Sequence, residues 1–361
     1  MSGSNRPGQV TRCRSVVMGD LREVALLRLV AQRLAGPRLA TPAEAVRWLT
    51  AVQAQDFPGA LTSIALRTAE GSRADVEAAF NHGEIVRSWP MRGTLHVVAA
   101  EDLPWMLELT GPRMLRSAAT RRARLGLDAS VLERARHLAS DALGGGRRLS
   151  RVELLELWTS AGLEATGPRG SHLLGYLAQT GVLCYGPMRG NEQLIVLVDE
   201  WIPRPRLLAR DEALGEWVER YFRSHGPATV RDGARWLGLP LTDVRAGLAL
   251  VRPRLASIEV AGTEYFLDPE APALLDAHRD DARGVFLLPG FDELLLGYAD
   301  REAMLDPAFA DRIVPGGNGM FQPTVVADGR VVGTWKSAGR GARRTVAPFT
   351  EIDPALSAAV A

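Results

Sequence analysis

At 361 residues, with 46% apolar and 24% charged positions, the chain has the make-up of an ordinary globular protein with room for two or three cores. A net charge of +1 argues against bulk coating of nucleic acid, and two cysteines, Cys13 and Cys184, exclude a disulfide framework or a cysteine-rich zinc module. No apolar run approaches the roughly 18 residues of a membrane span, so a cytoplasmic monomer without metal or cofactor is the expectation.

Residues 1–19 are polar and lack the apolar core of a signal peptide, which predicts a disordered segment. The next unit, 20–128, begins with an apolar stripe at Leu26, Leu29, Val30 and Leu34. Thr41-Pro42-Ala43-Glu44 combines a capping box with proline at the first helical position, a strong helix start. A helix after Pro58 carries Leu61, Ile64 and Ala65, and the strand-like runs 85–89 and 94–98 close the unit around Pro90-Met91-Arg92-Gly93.

The same order returns in 129–205. A helix near 132–142 ends at three glycines, and Ser150 with Glu153 forms a capping box. A third helix follows Gly167-Pro168, and the runs 182–185 and 194–198 make a hairpin. In 206–281, Leu214, Trp217, Val218 and Tyr221 mark a helix, Thr229 and Thr242 are read as caps of two more, and 258–260 with 265–267 flank a tight turn. Helix-helix-helix-hairpin is the winged-helix order. The fold class is therefore α+β: three tandem winged-helix modules followed by a small β-rich domain, a partial barrel, over 282–361. In that last stretch 285–288, 324–326 and 330–335 are strands between Gly and Asp-Gly turns, and Arg340, Arg343 and Arg344 fall at a loop or hairpin tip.

Four stretches together resemble the AlkZ/YcaQ-like DNA glycosylases, a bacterial winged-helix family. They are Val52-Gln53-Ala54-Gln55, the segment 91–96 (Met-Arg-Gly-Thr-Leu-His), the segment 288–298 (Leu-Pro-Gly-Phe-Asp-Glu-Leu-Leu-Leu-Gly-Tyr), and Gln322 through Lys336. The resemblance implies a DNA glycosylase that excises N7-alkylated purines from double-stranded DNA, with bulky adducts or interstrand crosslinks among its substrates. It also implies that Gln53 and Gln55 are catalytic, matching the family's Gln-aliphatic-Gln motif in the form linked to self-resistance against DNA-alkylating natural products.

The physical chemistry of two glutamines fits that implication. A helix would set residues i and i+2 about 200° apart, whereas an extended chain puts both on one side. Phe57 precedes Pro58 and is biased toward extended geometry. The chain is expected to leave its helix near Ala51-Val52, aim Gln53 and Gln55 into one site, and bury Ala54. Two amides can hold and orient a water without a charge. An N7-alkylated purine is already cationic, so it leaves without protonation. What remains is to place a water at C1′ and stabilise the oxocarbenium ion. Of 43 basic residues only Lys336 is a lysine, which narrows the chemistry to hydrolysis without a lyase step.

Other residues carry two readings each. His96 either faces the site or is a hydrogen-bonded strand residue, and Arg92 is a candidate for lining the site. Asp292 and Glu293 form a carboxylate pair that is either at the site or a turn cap, and Asp56 reads as a cap or ion-pair partner, with electrostatic stabilisation or a base role as the alternative. The Arg113–Arg124 run is a solvated helix face or a DNA contact. Arg169, Ser171 and His172 open a helix where phosphate would bind, and Lys336, Arg340, Arg343 and Arg344 form a basic tip that would probe a groove. The competing function is a non-catalytic winged-helix DNA-binding protein such as a transcription regulator, since fold alone does not decide.

Overall fold

The computed structural model describes residues 20–337 and 344–350 in full and the backbone of 15–17. Cys13, Arg340 and Arg343 lie outside the described residues.

The first unit opens with β1 (Ser15–Val17) and α1 (Leu21–Ala31), then α2 (Pro42–Leu49), β2 (Val52–Gln53), α3 (Phe57–Ala65) and α4 (Arg73–Asn81). The hairpin β3 (Ile85–Met91) and β4 (Thr94–Ala99) follows, with φ of 55° at Arg92 and 69° at Gly93 in its two-residue turn. Positive φ at both positions matches the right-handed strand twist. Helices α5 (Leu103–Ser117) and α6 (Ala119–Arg124) lead into the second unit. It comprises α7 (Ala129–Leu143), α8 (Arg151–Ser160), α9 (Gly167–Gln179), β5 (Leu183–Arg189), β6 (Glu192–Leu197) and the short α10 (Val198–Trp201). Both hydrogen bonds of the Ser150–Glu153 capping box form, an arrangement worth about 1 kcal/mol.

The third unit holds α11 (Arg210–His225), α12 (Val230–Leu237), α13 (Leu241–Val251) and the hairpin β7 (Ala256–Val260) with β8 (Thr263–Leu267). Helices α14 (Ala271–Ala277) and α15 (Arg279–Ala282) join it to β9 (Val285–Leu288), α16 (Glu293–Leu296) and α17 (Ala310–Ile313). The chain finishes its described course with β10 (Thr324–Ala327), β11 (Arg330–Ser337) and β12 (Arg344–Pro348), in a sheet of order β12-β11-β10-β9. No described helix is long and apolar enough to cross a membrane.

The architecture is α+β, and the helix-helix-helix-hairpin order holds in the second and third units, while the first interposes β2 and adds α4 before its hairpin. Local departures from the sequence reading have plain causes. Helix α13 starts one residue before Thr242, with Pro240 at its cap position and no side-chain cap. Hairpin β5–β6 runs almost to its tip, because Gly190 supplies positive φ for a tight turn. The segment 15–17, expected to be disordered, pairs in parallel with β7 and satisfies an otherwise open sheet edge. The unexpected α4 is capped by Ser72 and buries Val76, Ala79 and Phe80.

The units are not separate beads. The first two hairpins merge in a five-stranded sheet of order β2-β4-β3-β5-β6, joined where Arg87 opposes Tyr185. Helix α1, buried nearly all round, packs in one core with Trp105, Trp217, Tyr221, Trp236, Leu294 and Val326. The second unit has its own core around Trp158 and Leu174, and a third cluster gathers Val52, Ala54, Leu61, Phe80 and Val97. Strand β2 therefore runs between two cores, which fixes what each of its side chains can face.

Candidate active site

Helix α2 stops at Thr50, whose φ of 72° turns the chain out of helical geometry. Strand β2 then pairs with β4, Val52 opposite Val97 and Gln53 opposite His96, and the Ala54 N–H donates to the Leu95 carbonyl at 2.8 Å. Gln55 lies just beyond the strand, at the bend that leads into α3. The Gln53 Nε2–H donates to Gln55 Oε1 at 2.6 Å, and the Gln55 backbone N–H donates to Gln53 Oε1 at 3.1 Å. Both amides thus lie on one side of the strand, with Ala54 fully buried on the other. Gln53 is buried and Gln55 is exposed. Asp56 caps α3 through the Gly59 N–H.

Beneath this strand sits the second carboxylate of the Asp292-Glu293 pair. Glu293 is fully buried; its Oε1 accepts the Gln53 backbone N–H at 2.9 Å and its Oε2 accepts the Trp236 Nε1–H at 2.7 Å. Burial works against its ionisation, but the neighbouring His225, the Arg92 charge and the Trp236 N–H outweigh it and hold the carboxyl down at about 2. Asp292, next in sequence, faces elsewhere. It caps α16 through the Leu294 N–H, accepts Ser63 Oγ–H at 2.7 Å and meets both Arg67 terminal nitrogens at 2.9 Å.

His96 is the cross-strand neighbour of both Gln53 and Ser88. Its Nδ1–H donates to the Thr94 carbonyl at 2.9 Å, which leaves Nε2 to accept from Arg92 Nη2 at 2.8 Å. Burial first, and the Arg92 charge second, hold its pKa down at about 3, so the imidazole is neutral at physiological pH. The structure thus brings Gln53, Gln55, His96 and Arg92 together, backed by Glu293, and leaves Asp292 in a structural ion pair.

The basic residues distribute differently. Arg169 turns inward and donates to the carbonyls of Glu164, Leu125 and Leu163. Exposed Ser171 accepts from Arg151 at 2.9 Å. His172 lines a cleft of about 880 Å³ between α5, α9 and the start of α13, whose wall also carries Arg92, Arg113, Arg116, Arg122 and Tyr176. Burial, then Arg121 and Arg122, lower the His172 pKa, marking a positive local potential. Gln53 and Gln55 are not among the residues of this cleft. Lys336 opposes Thr345 on the β11–β12 hairpin, and Arg344 stands 5.9 Å over the Trp335 ring.

Sequence and structure comparisons place the chain among known proteins. A family model described as DNA glycosylase AlkZ-like matches residues 46–361. The chain is 30% identical over 346 residues to the interstrand DNA cross-link repair glycosylase of Streptomyces sahachiroi, covering 91% of each protein. The solved structure of the Streptomyces sahachiroi DNA glycosylase AlkZ superposes with a TM-score of 0.75 at 28% identity over 94% of both chains. The chain belongs to the AlkZ-like family of DNA glycosylases.

Proposed function

We propose that this glycosylase is monofunctional and hydrolyses the N-glycosidic bond of N7-alkylated purines in duplex DNA, with Gln53 and Gln55 as its reaction centre. The observation that carries the reading is that the Gln53 side-chain amide donates to the Gln55 side chain and accepts from the Gln55 backbone N–H. Buried Gln53 orients exposed Gln55, whose Nε2 protons and remaining Oε1 lone pair are left to hold a water. As the cationic purine departs with the bond pair, it becomes a neutral base. The water oxygen bonds to C1′ and its proton passes to solvent. His96 takes no part in proton transfer, since its pKa of about 3 and its two hydrogen bonds keep it neutral.

The three hairpin-terminated units are read as winged helices that hold the duplex, Lys336 and Arg344 as groove contacts, and the monomer as the working unit. An exposed Gln55, rather than one at the end of a deep pocket, suits bulky adducts and crosslinked purines, and the similarity to a cross-link repair glycosylase favours the same substrates. Purified protein incubated with duplex carrying N7-methylguanine should release the free base and leave an intact abasic strand that borohydride does not trap. Base release accompanied by a trapped covalent adduct would contradict the hydrolytic reading. Sequence-selective binding to undamaged duplex without release would favour a non-catalytic binder.

A further inference from the structure

Asp292 and Glu293 are consecutive buried carboxylates treated in opposite ways. The charge of Asp292 is met by a bidentate guanidinium, with both Arg67 bonds at 2.9 Å. Glu293 accepts direct hydrogen bonds from two uncharged donors, the Gln53 backbone N–H and the Trp236 indole, while the Arg92 charge and His225 act on it from a distance. Among the described residues no arginine or lysine pairs with it, and His225 Nε2 stands 3.6 Å away, beyond hydrogen-bond length. Arg92 spends its contact on His96. Burying an anion without a directly paired cation is costly, and such groups concentrate at functional sites.

We propose that Glu293 is a positioning residue for glycosidic cleavage, clamping the Gln53 backbone in its extended form and setting a negative charge beneath the sugar as it becomes cationic. The inference rests on Gln53 and Gln55 being the reaction centre. Cleavage builds positive charge on C1′ and the ring oxygen. A fixed anion in a poorly screened interior favours that state over the neutral ground state.

The test uses the full chain and two duplexes, one with a neutral tetrahydrofuran abasic analogue and one with a cationic pyrrolidine analogue. Wild type should prefer the pyrrolidine duplex. Glu293→Gln should lose about tenfold of that preference, bind the tetrahydrofuran duplex within about twofold of wild type, and release N7-methylguanine at least about tenfold more slowly in single turnover. A merely structural role would not move the ratio between the two analogues. Unchanged preference in folded Glu293→Gln overturns the proposal. If that variant does not fold, Glu293→Asp keeps the charge and shortens the reach, so preference should persist while release slows, and loss of preference there also overturns it. Excision retained by Gln53→Ala/Gln55→Ala would instead sink the site assignment and the proposal together.

Discussion

The backbone N–H of Gln53 donates to the buried carboxylate of Glu293, 240 residues further along the chain. This bond ties β2 to the turn that starts α16, so the site exists only when the first unit and the C-terminal region have docked. Tyr298, on the same stretch, accepts from Gln32 of the first unit and donates to the His225 carbonyl of the third. The reaction centre is therefore a product of the shared core rather than of one module.

Arg67 should be a stability residue with little part in the chemistry. Its guanidinium is fully buried and divides its donors among Gln32, Ser63 and Asp292. Arg67→Met leaves Asp292 buried without its partner, which costs about 3–5 kcal/mol. A thermal melt should show the loss, while single-turnover base release per folded molecule stays within severalfold of wild type. A variant with normal melting and abolished release would contradict this assignment.

His96 gives stability a defined pH dependence. Its pKa falls from 6.5 to about 3 on folding, because burial and Arg92 disfavour the cation. A depressed folded-state pKa means that the contribution is complete above pH 6.5 and is lost as pH falls toward 3. The slope from this group approaches about 1.4 kcal/mol per pH unit in that window. Denaturant midpoints measured between pH 7 and pH 4 should fall more steeply for wild type than for His96→Asn. Equal slopes would show that His96 is not buried neutral.

Two groups of arginines should separate in salt titrations. Arg113, Arg116 and Arg122 line the cleft and pair with no carboxylate among the described residues. Changing all three to alanine should weaken duplex binding and flatten the log–log salt dependence by up to about 0.9 per lost phosphate contact. Arg169 donates to three carbonyls instead. Arg169→Ala should cost about 1–2 kcal/mol of stability and leave the salt slope unchanged. A reversed pattern would place the phosphate contacts at the start of α9.

What the sequence reveals of this fold is local. Thr41, Ser150 and Thr229 each cap the helix that their spacing marks, because capping depends on neighbours three residues away. The exit of the chain from α2 and the same-side placement of Gln53 and Gln55 follow from backbone geometry alone. Helix α4 escapes because its apolar residues are few and its exposed face is charged. The fusion of two hairpins into one sheet escapes because Arg87 opposite Tyr185 joins residues about a hundred positions apart, a pairing that neither strand announces. Which member of the Asp292-Glu293 pair meets Gln53 is hidden for the same reason. The chain neighbours of Glu293 mark a turn cap, which Asp292 is, while its own partners come from β2 and α12.

The central claim is that the paired amides of Gln53 and Gln55 carry out hydrolysis. Its most direct test is single-turnover release of N7-methylguanine from a defined duplex by wild type and by Gln53→Ala/Gln55→Ala, with folding and duplex affinity measured in parallel. Release by the double variant should be slowed by about 10²–10³-fold with melting temperature and affinity nearly unchanged. Release at the wild-type rate by the folded double variant would contradict it.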